Sequence, residues 1–252
     1  MTDIRTSPVL SIITVCYNAE KYIAATIESV LGQTYPHIEY IIVDGASKDG
    51  TMAIVEQYRS RIATVVSEKD KGLYDAMNKG MQLATGTYLF FLNADDVLAD
   101  KEVITKMLAC CTDADVYYGE AMFMDENGAD LGLRSVLTPQ RVPEQLTWKS
   151  LQHGMVVSHQ AYIIRRTLSP LYDLQYKVCA DIDWMIRSLK ASRQICNTHQ
   201  VVAKFRVGGT SKQQQQLAWK ERYHILSHHY GRVTNFLNHV FIACRYILSK
   251  KY

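Results

Sequence analysis

The stretch Phe90-Phe91-Leu92-Asn93-Ala94-Asp95-Asp96 constrains the fold most, because a short apolar run rich in β-formers stops on two adjacent carboxylates. Gly86-Thr87 punctuates its start, so Tyr88 to Leu92 reads as a buried strand. In open α/β sheets ligands sit in the crevice at the carboxyl ends of strands, which is where Asp95 and Asp96 would project. Adjacent carboxylates repel. A hard divalent cation relieves that repulsion, using one or two carboxylates together with phosphate oxygens. The alternative is an acidic start to the helix that begins near Asp100.

The same ending recurs upstream. Leu10 to Val15 is a continuous apolar run of the kind found inside parallel sheets, broken at Tyr17-Asn18. Tyr22, Ile23, Ile27, Val30 and Leu31 then recur at helical spacing, and Gly32 closes that helix. Glu39 to Val43 is a strand ending on Asp44, and the turn from Gly45 to Gly50 leads to a helix from Thr51 to about Arg59. Ile62 to Ser67 is a third strand, ending in Glu68-Lys69-Asp70, with a helix from Leu73 to Ala84 after it. Alternating strands and helices predict right-handed α/β units and a mostly parallel sheet. Three successive strands therefore finish on carboxylates, at Asp44, Asp70 and Asp95-Asp96, along one shared edge.

Further along, the pattern predicts a helix over Asp100 to Cys111, a strand over Val116 to Gly119 and a hairpin turning at Asn127-Gly128. Residues 134–152, with Pro139 and Pro143, read as a long loop. Val156 to Arg165 reads as a strand, Cys179 to Ala191 as a helix and Val201 to Val207 as a closing strand. The 252 residues, 48% hydrophobic and 21% charged, suffice for a full core and do not suggest disorder. Six cysteines without a C-x-x-C spacing read as reduced thiols of a cytosolic protein, and sulfur ligation of a metal is not expected. No apolar run reaches the roughly 18 residues of a membrane span.

These pieces, taken together, resemble the family 2 inverting glycosyltransferases of the GT-A fold, over residues 10–211. The resemblance runs through Ser11 to Asn18, Gln33-Thr34-Tyr35, Glu39 to Thr51, Asp70 to Gly80, Asn93-Ala94-Asp95-Asp96, Ser158-His159-Gln160 and Ala180-Asp181-Ile182-Asp183-Trp184. It implies a GT-A-like (Rossmann-like) α/β domain over 8–211, a nucleoside-diphosphate-sugar donor, Mg²⁺ or Mn²⁺, and a glycan or glycolipid acceptor in surface-polysaccharide assembly. Asp44 then matches the acid that meets uracil, and Thr14, Tyr17 and Asn18 the strand end beside the base. Asp70 matches a further carboxylate near the nucleoside, Asp95 the ribose contact and Asp96 the metal ligand. Asn78 and Lys79 fall on the helix facing the donor, although an exposed lysine reads equally well as a solvated one. His159 matches a position near the phosphates or acceptor, with a satisfied buried histidine as the rival reading. Asp181 matches the general base that takes the acceptor hydroxyl's proton. Ala180 departs from the Glu common before that Asp, and Asp183 is the competing acid.

Residues 212–252 read as a basic helical tail. Seven Lys and Arg there face Glu221 alone, so the tail carries +6 while the body, with 21 basic and 24 acidic groups, carries −3. Apolar residues from Leu217 to Leu248 at spacings of three and four, interrupted by Gly231, predict two helices. Such a tail suits either peripheral contact with the inner face of the cytoplasmic membrane or packing on the protein itself. No nucleic-acid module is present. Gln215-Gln216-Leu217-Ala218-Trp219 has Ala218 where the Gln-x-x-Arg-Trp signature of processive relatives has Arg, which favours single addition. A sugar nucleotidyltransferase would want a Gly-rich basic loop after the first strand, which Cys16 to Glu20 is not. A non-catalytic nucleotide-binding relative is disfavoured by Asp44, Asp95, Asp96 and Asp181. No G-x-G-x-x-G follows Val15, which disfavours a dehydrogenase.

Overall fold

The computed structural model describes residues 7–207 and 214–239. Nine strands form one sheet in the order β3 (Thr64–Ser67), β2 (Ile38–Asp44), β1 (Leu10–Cys16), β4 (Tyr88–Phe91), β8 (Tyr162–Arg165), β6 (Val116–Met124), β9 (Ile195–Arg206) and β5 (Val97–Leu98). β7 (Asp130–Leu133) pairs with the outer half of β6. β1, β2, β3 and β4 are mutually parallel, and β6 and β9 run the same way, separated from β4 by the antiparallel β8. β1 and β4 are buried along their whole length, as unbroken apolar runs require.

The helices are α1 (Ile23–Leu31), α2 (Thr51–Gln57), α3 (Leu73–Leu83), α4 (Val103–Cys110), the single turn α5 (Arg134–Leu137), α6 (Ala180–Ala191) and α7 (Gln215–Tyr230). After Gly231, at φ 86°, a further helix, α8, covers 232–239. α1 buries Ile23, Thr26, Ile27 and Val30, one stripe at helical spacing. α3 lies so close to β1 that a Cβ on Gly80 would collide with the Ile13 side chain. Here glycine is dictated by packing.

Several expectations need correction. Gly32 does close α1, but at φ −85°, so no left-handed freedom is used there. Residues 134–152 are not featureless: besides α5 they hold a 3₁₀ turn at Trp148–His153, fixed by reciprocal Thr147 and Ser150 hydrogen bonds. The run from Val156 becomes a strand only at Tyr162, because Ser158 begins another 3₁₀ turn. Cys111 and Cys196 are joined by a disulfide, not reduced. They lie 85 residues apart in sequence, and α4 packing beside β9 brings them together. The family resemblance also implies a segment closing over the donor at Gly208 to Ser211; those residues and the tail beyond 239 lie outside the described residues.

Candidate active site

The carboxyl ends of β1, β2 and β4 adjoin, and each holds side chains on loops braced by the next. Asp44 is wholly buried. Its carboxylate accepts from the Ser47 amide at 3.0 Å, the Ser47 hydroxyl, the Ser67 hydroxyl at 2.6 Å and the Cys16 thiol at 3.6 Å. A carboxylate offers about four lone-pair sites, so all are in use. Thr14, also buried, accepts from the Tyr40 hydroxyl at 3.1 Å. Asn18 and Ala46 adopt left-handed φ of 50° and 63° on the two loops beside Asp44. Such backbone costs about 1 kcal/mol or more per residue, and it recurs at ligand sites. Asn18 clamps the loops together, its amide donating to Ser47 at 2.8 Å and its side-chain oxygen accepting from the Lys48 amide at 2.9 Å.

Tyr17 is exposed above this floor. Asp70 accepts from the Gly72 amide at 2.8 Å and approaches Gly45 so closely that a Cβ there would stand 2.5 Å from its Oδ2 and 3.5 Å from the Tyr17 ring. Tyr17, Gly45 and Asp70 therefore converge. A side chain at Gly45 would have to displace the Asp70 carboxylate.

The Asn93–Asp96 turn is held by Thr26 of α1, whose hydroxyl reaches the Ala94 carbonyl at 2.9 Å and the Asp96 carbonyl at 2.7 Å. Asp96 is 2% exposed and accepts from Gln160 Nε2 at 2.9 Å and the Arg206 amide at 3.2 Å. Burial pushes the Asp95 carboxyl up; burial and the neighbouring Asp95 charge push Asp96 well above the ordinary range. The side-chain oxygen of Asn93 is buried without a hydrogen-bond partner. The Arg206 charge offsets only part of the upward push on the two carboxyls. Two adjacent carboxyls still raised, in a turn that also holds an unpartnered oxygen, supply the all-oxygen chemistry that suits a hard divalent cation.

Asp181 stands half-buried in the first turn of α6. Burial pushes its carboxyl up to about 6, while the Tyr74 hydroxyl at 3.2 Å, the Ile182 amide at 3.0 Å and the Arg222 charge pull it back. The Tyr74 hydroxyl also reaches the Val178 carbonyl at 2.8 Å, and its single proton can serve only one of the two acceptors at a time. Arg222, on α7, has a buried Nε without a partner. Asp183 is differently engaged, accepting from Arg187 Nε at 2.7 Å and His229 Nε2 at 2.7 Å. Burial pushes its carboxyl up, but those two partners outweigh it and hold it below the usual range.

Three residues singled out in the sequence are otherwise occupied. Asn78 spends its amide on the backbone of Tyr172, accepting from its N–H at 2.8 Å and donating to its carbonyl at 3.0 Å. Lys79 pairs with Glu68 at 2.7 Å and donates to the Lys69 carbonyl. His159 is buried among Phe91, Tyr172 and Trp184, with Nε2 2.6 Å from the Tyr172 hydroxyl. Burial lowers its pKa to about 4, which keeps it neutral. By resemblance Gln160 shares the expected place of His159 near the phosphates or acceptor; Tyr74, inside a stretch already noted, had no role assigned, and Arg206, Glu221 and Arg222 belong to no motif. Tyr74 could have been found as a polar group beside a motif acid.

Solved structures with this architecture include Staphylococcus aureus TarS in complex with UDP, at TM-score 0.65 and 21% identity over 87% of this chain and 64% of that one. The mannosyltransferase PcManGT from Pyrobaculum calidifontis, in complex with GDP-Man and Mn²⁺, superposes at TM-score 0.61 and 20% identity over 87% and 62%. This chain thus spans just under two thirds of either solved chain, the TarS one being residues 1–349, and 43% of a longer solved TarS chain. The fold is that of the GT-A glycosyltransferases. At sequence level, a PGL/p-HBAD biosynthesis glycosyltransferase of Mycobacterium tuberculosis (strain ATCC 25177 / H37Ra) is 31% identical over 220 residues, 81% of this chain and 80% of its own. TuaG of Bacillus subtilis (strain 168), named for teichuronic acid biosynthesis, is 47% identical over 92 residues, 35% of this chain and 36% of its own. The Glycosyl transferase family 2 profile matches residues 11–169, and the chain belongs to that family: it is a glycosyltransferase.

Proposed function

We propose that the chain moves one sugar from a UDP-sugar, with inversion at the anomeric carbon, to an acceptor hydroxyl in the assembly of a surface polysaccharide or glycolipid. The observation that carries this reading is the division of labour between two acidic centres. Asp95, half-buried, and Asp96, buried, follow β4 as an adjacent pair suited to a cation, whereas Asp181 heads α6 with its carboxyl near 6. An inverting transfer is one in-line displacement. As the acceptor oxygen bonds the anomeric carbon, its proton passes to Asp181 and the bond to the diphosphate breaks. A divalent cation held by Asp96, with Asp95 beside it for the ribose, would supply positive charge to that leaving diphosphate. For the uracil we assign Asp44, with the imide N–H taking the place of the Ser47 hydroxyl, and for the nucleoside Tyr17, Asn18 and Asp70. The relatives named for teichuronic acid and for PGL/p-HBAD biosynthesis support the acceptor class, and the UDP complex of TarS supports the donor.

The test is calorimetry in Mn²⁺ with UDP-glucose, UDP-galactose, UDP-GlcNAc, UDP-glucuronate and GDP-mannose, followed by UDP release from the best ligand. One UDP-sugar should bind tightest and turn over. Tighter binding of GDP-mannose than of all four UDP-sugars overturns the donor assignment.

The tail we assign to an anionic membrane surface. No described helix is long and apolar enough to cross a membrane. Trp219 and Tyr223 on α7 and Val233, Phe236 and Leu237 on α8 are exposed, with Lys220 and Arg232 among them. The full chain should co-sediment with phosphatidylglycerol vesicles, and Trp219→Ser with Phe236→Ser should abolish that. If the unmodified chain ignores such vesicles, the tail serves packing alone.

A further inference from the structure

α6 has no capping side chain of its own: Cys179 holds the N-cap position and makes no side-chain cap bond. The N–H groups leading into the helix are instead taken by a residue more than forty positions later. Glu221 of α7 accepts from the Lys177 amide at 2.7 Å through one oxygen, and from the Val178 and Cys179 amides at 2.9 Å each through the other. Glu221 is 8% exposed, so these charge-assisted bonds are shielded from water. Cys179 also donates its thiol to the Ala218 carbonyl, one turn earlier on α7. From the opposite side Tyr74 holds the Val178 carbonyl. About two turns further along α7, His229 holds Asp183; since Lys190 Nζ lies 3.1 Å from His229 Nδ1 and can only donate, His229 is the Nδ1-acceptor, Nε2-donor tautomer. The segment carrying Asp181 is thus gripped from both sides. The grip on its backbone N–H groups is Glu221.

We infer that Glu221 is a positioning residue for the reaction, a cap supplied by α7 that fixes the direction in which Asp181 leaves the first turn of α6. The inference rests on Asp181 being the base. α7 is then part of the catalytic apparatus, whatever else it does on a membrane. The physical reason is leverage. Three N–H groups define the plane of the peptides just before the helix, and a base must sit within hydrogen-bond reach of the proton it takes, where a displacement near 1 Å costs about 10²-fold in rate. Glutamine in place of Glu221 keeps one acceptor oxygen and turns an NH₂ group toward N–H donors, so the segment must shift. Nucleotide contacts at the ends of β1, β2 and β4 do not involve α7 and should not notice.

The experiment compares Glu221→Gln, Glu221→Asp and Ile225→Ala in the full-length chain. Ile225 is fully buried on α7 and touches none of these groups' hydrogen bonds, so its truncation reports loss of packing alone. UDP release from the best donor of the panel above gives kcat, and calorimetry with Mn²⁺ and UDP gives affinity, both at a temperature where circular dichroism shows each variant folded. Glu221→Gln should lose at least tenfold in kcat with UDP affinity within twofold, while Ile225→Ala, though lowering Tm at least as much, should keep kcat within twofold. Should Glu221→Gln not fold, Glu221→Asp, which keeps the charge and shortens its reach by one methylene, is read by the same criteria. A kcat within twofold of the unmodified chain overturns the inference, as does a loss that Ile225→Ala shares. Asp181→Asn, run alongside, separates the two claims: if it turns over normally the base assignment falls and this inference with it. If it is inactive while Glu221→Gln is not, only the role of Glu221 falls.

Discussion

Asp181 and Asp183 are two residues apart on one helix, turned about 200° from each other, and their surroundings send their carboxyls in opposite directions. Asp183, tied to Arg187 and His229, is an ionised strut. Asp181 is the one free to exchange a proton near neutrality, and two consequences can be measured. Because the base acts ionised, kcat/KM should fall about tenfold per unit as pH drops below about 6. Arg222→Met removes a positive neighbour that favours the ionised form, so the same limb should move to higher pH; a downward move would refute the placement of Arg222. Asp181→Asn should lose 10²–10⁴ in turnover while binding Mn²⁺ and UDP normally. It should also gain stability at pH 7. A carboxyl raised by folding is ionised there at a cost, and protonation favours the fold as pH falls from about 6 toward 4. Removing that cost is worth about 1–3 kcal/mol by urea titration. Asp96→Ala should weaken diphosphate binding in Mn²⁺ far more than uridine binding, since the cation links protein to phosphate; equal affinities for UDP with and without the substitution would remove Asp96 from the metal site.

Between elements, the decisive contacts join α3 to the segment before α6. Asn78 looks like a donor ligand because it faces the sheet edge from α3, yet both halves of its amide are fixed on the Tyr172 backbone. Tyr172 in turn stacks on Trp184 and Tyr74 and holds His159. Asn78→Ala leaves a buried N–H and a buried carbonyl unpaired, so it should cost about 2 kcal/mol or more in urea unfolding. UDP affinity should stay unchanged. The opposite pattern, lost affinity at full stability, would return Asn78 to the donor site.

For the molecule as a whole, the tail is not an appendage over its described part. α7 buries Ala218, Glu221, Ile225 and Leu226, and Tyr230 stacks on Trp148 with its hydroxyl on the Trp148 carbonyl. Two wholly buried aliphatic side chains alone are worth about 1.5–3 kcal/mol each. Total stabilities run only about 5–15 kcal/mol. Ending the chain before Gln214 should therefore lower the urea midpoint sharply or prevent folding, as circular dichroism will show. A truncated chain with unchanged midpoint would restore the tail to a separable unit.

The sequence by itself determined the first four strands, β1 to β4, their parallel order and the acids that follow them, because period and punctuation act over a few residues and survive in the one-dimensional record; β5 and the starts of β8 and β9 were not legible. Asp44, Asp70, Asp95 and Asp96 were legible for that reason: a strand's last residue needs only the strand to place it. What only the tertiary structure decided is which group each acid meets. Gln160 and Arg206 reach Asp96 from 64 and 110 residues away, and Tyr74 reaches Asp181 from 107. Glu221 grips the segment that leads to Asp181 from a helix that charge counting alone assigned to a basic tail. The Cys111–Cys196 bridge, the neutral His159 and the occupied Asn78 have the same origin. Partners so distant are chosen by the packing of whole elements, and the free energy of each contact exists only once burial has removed the water that would otherwise satisfy both groups.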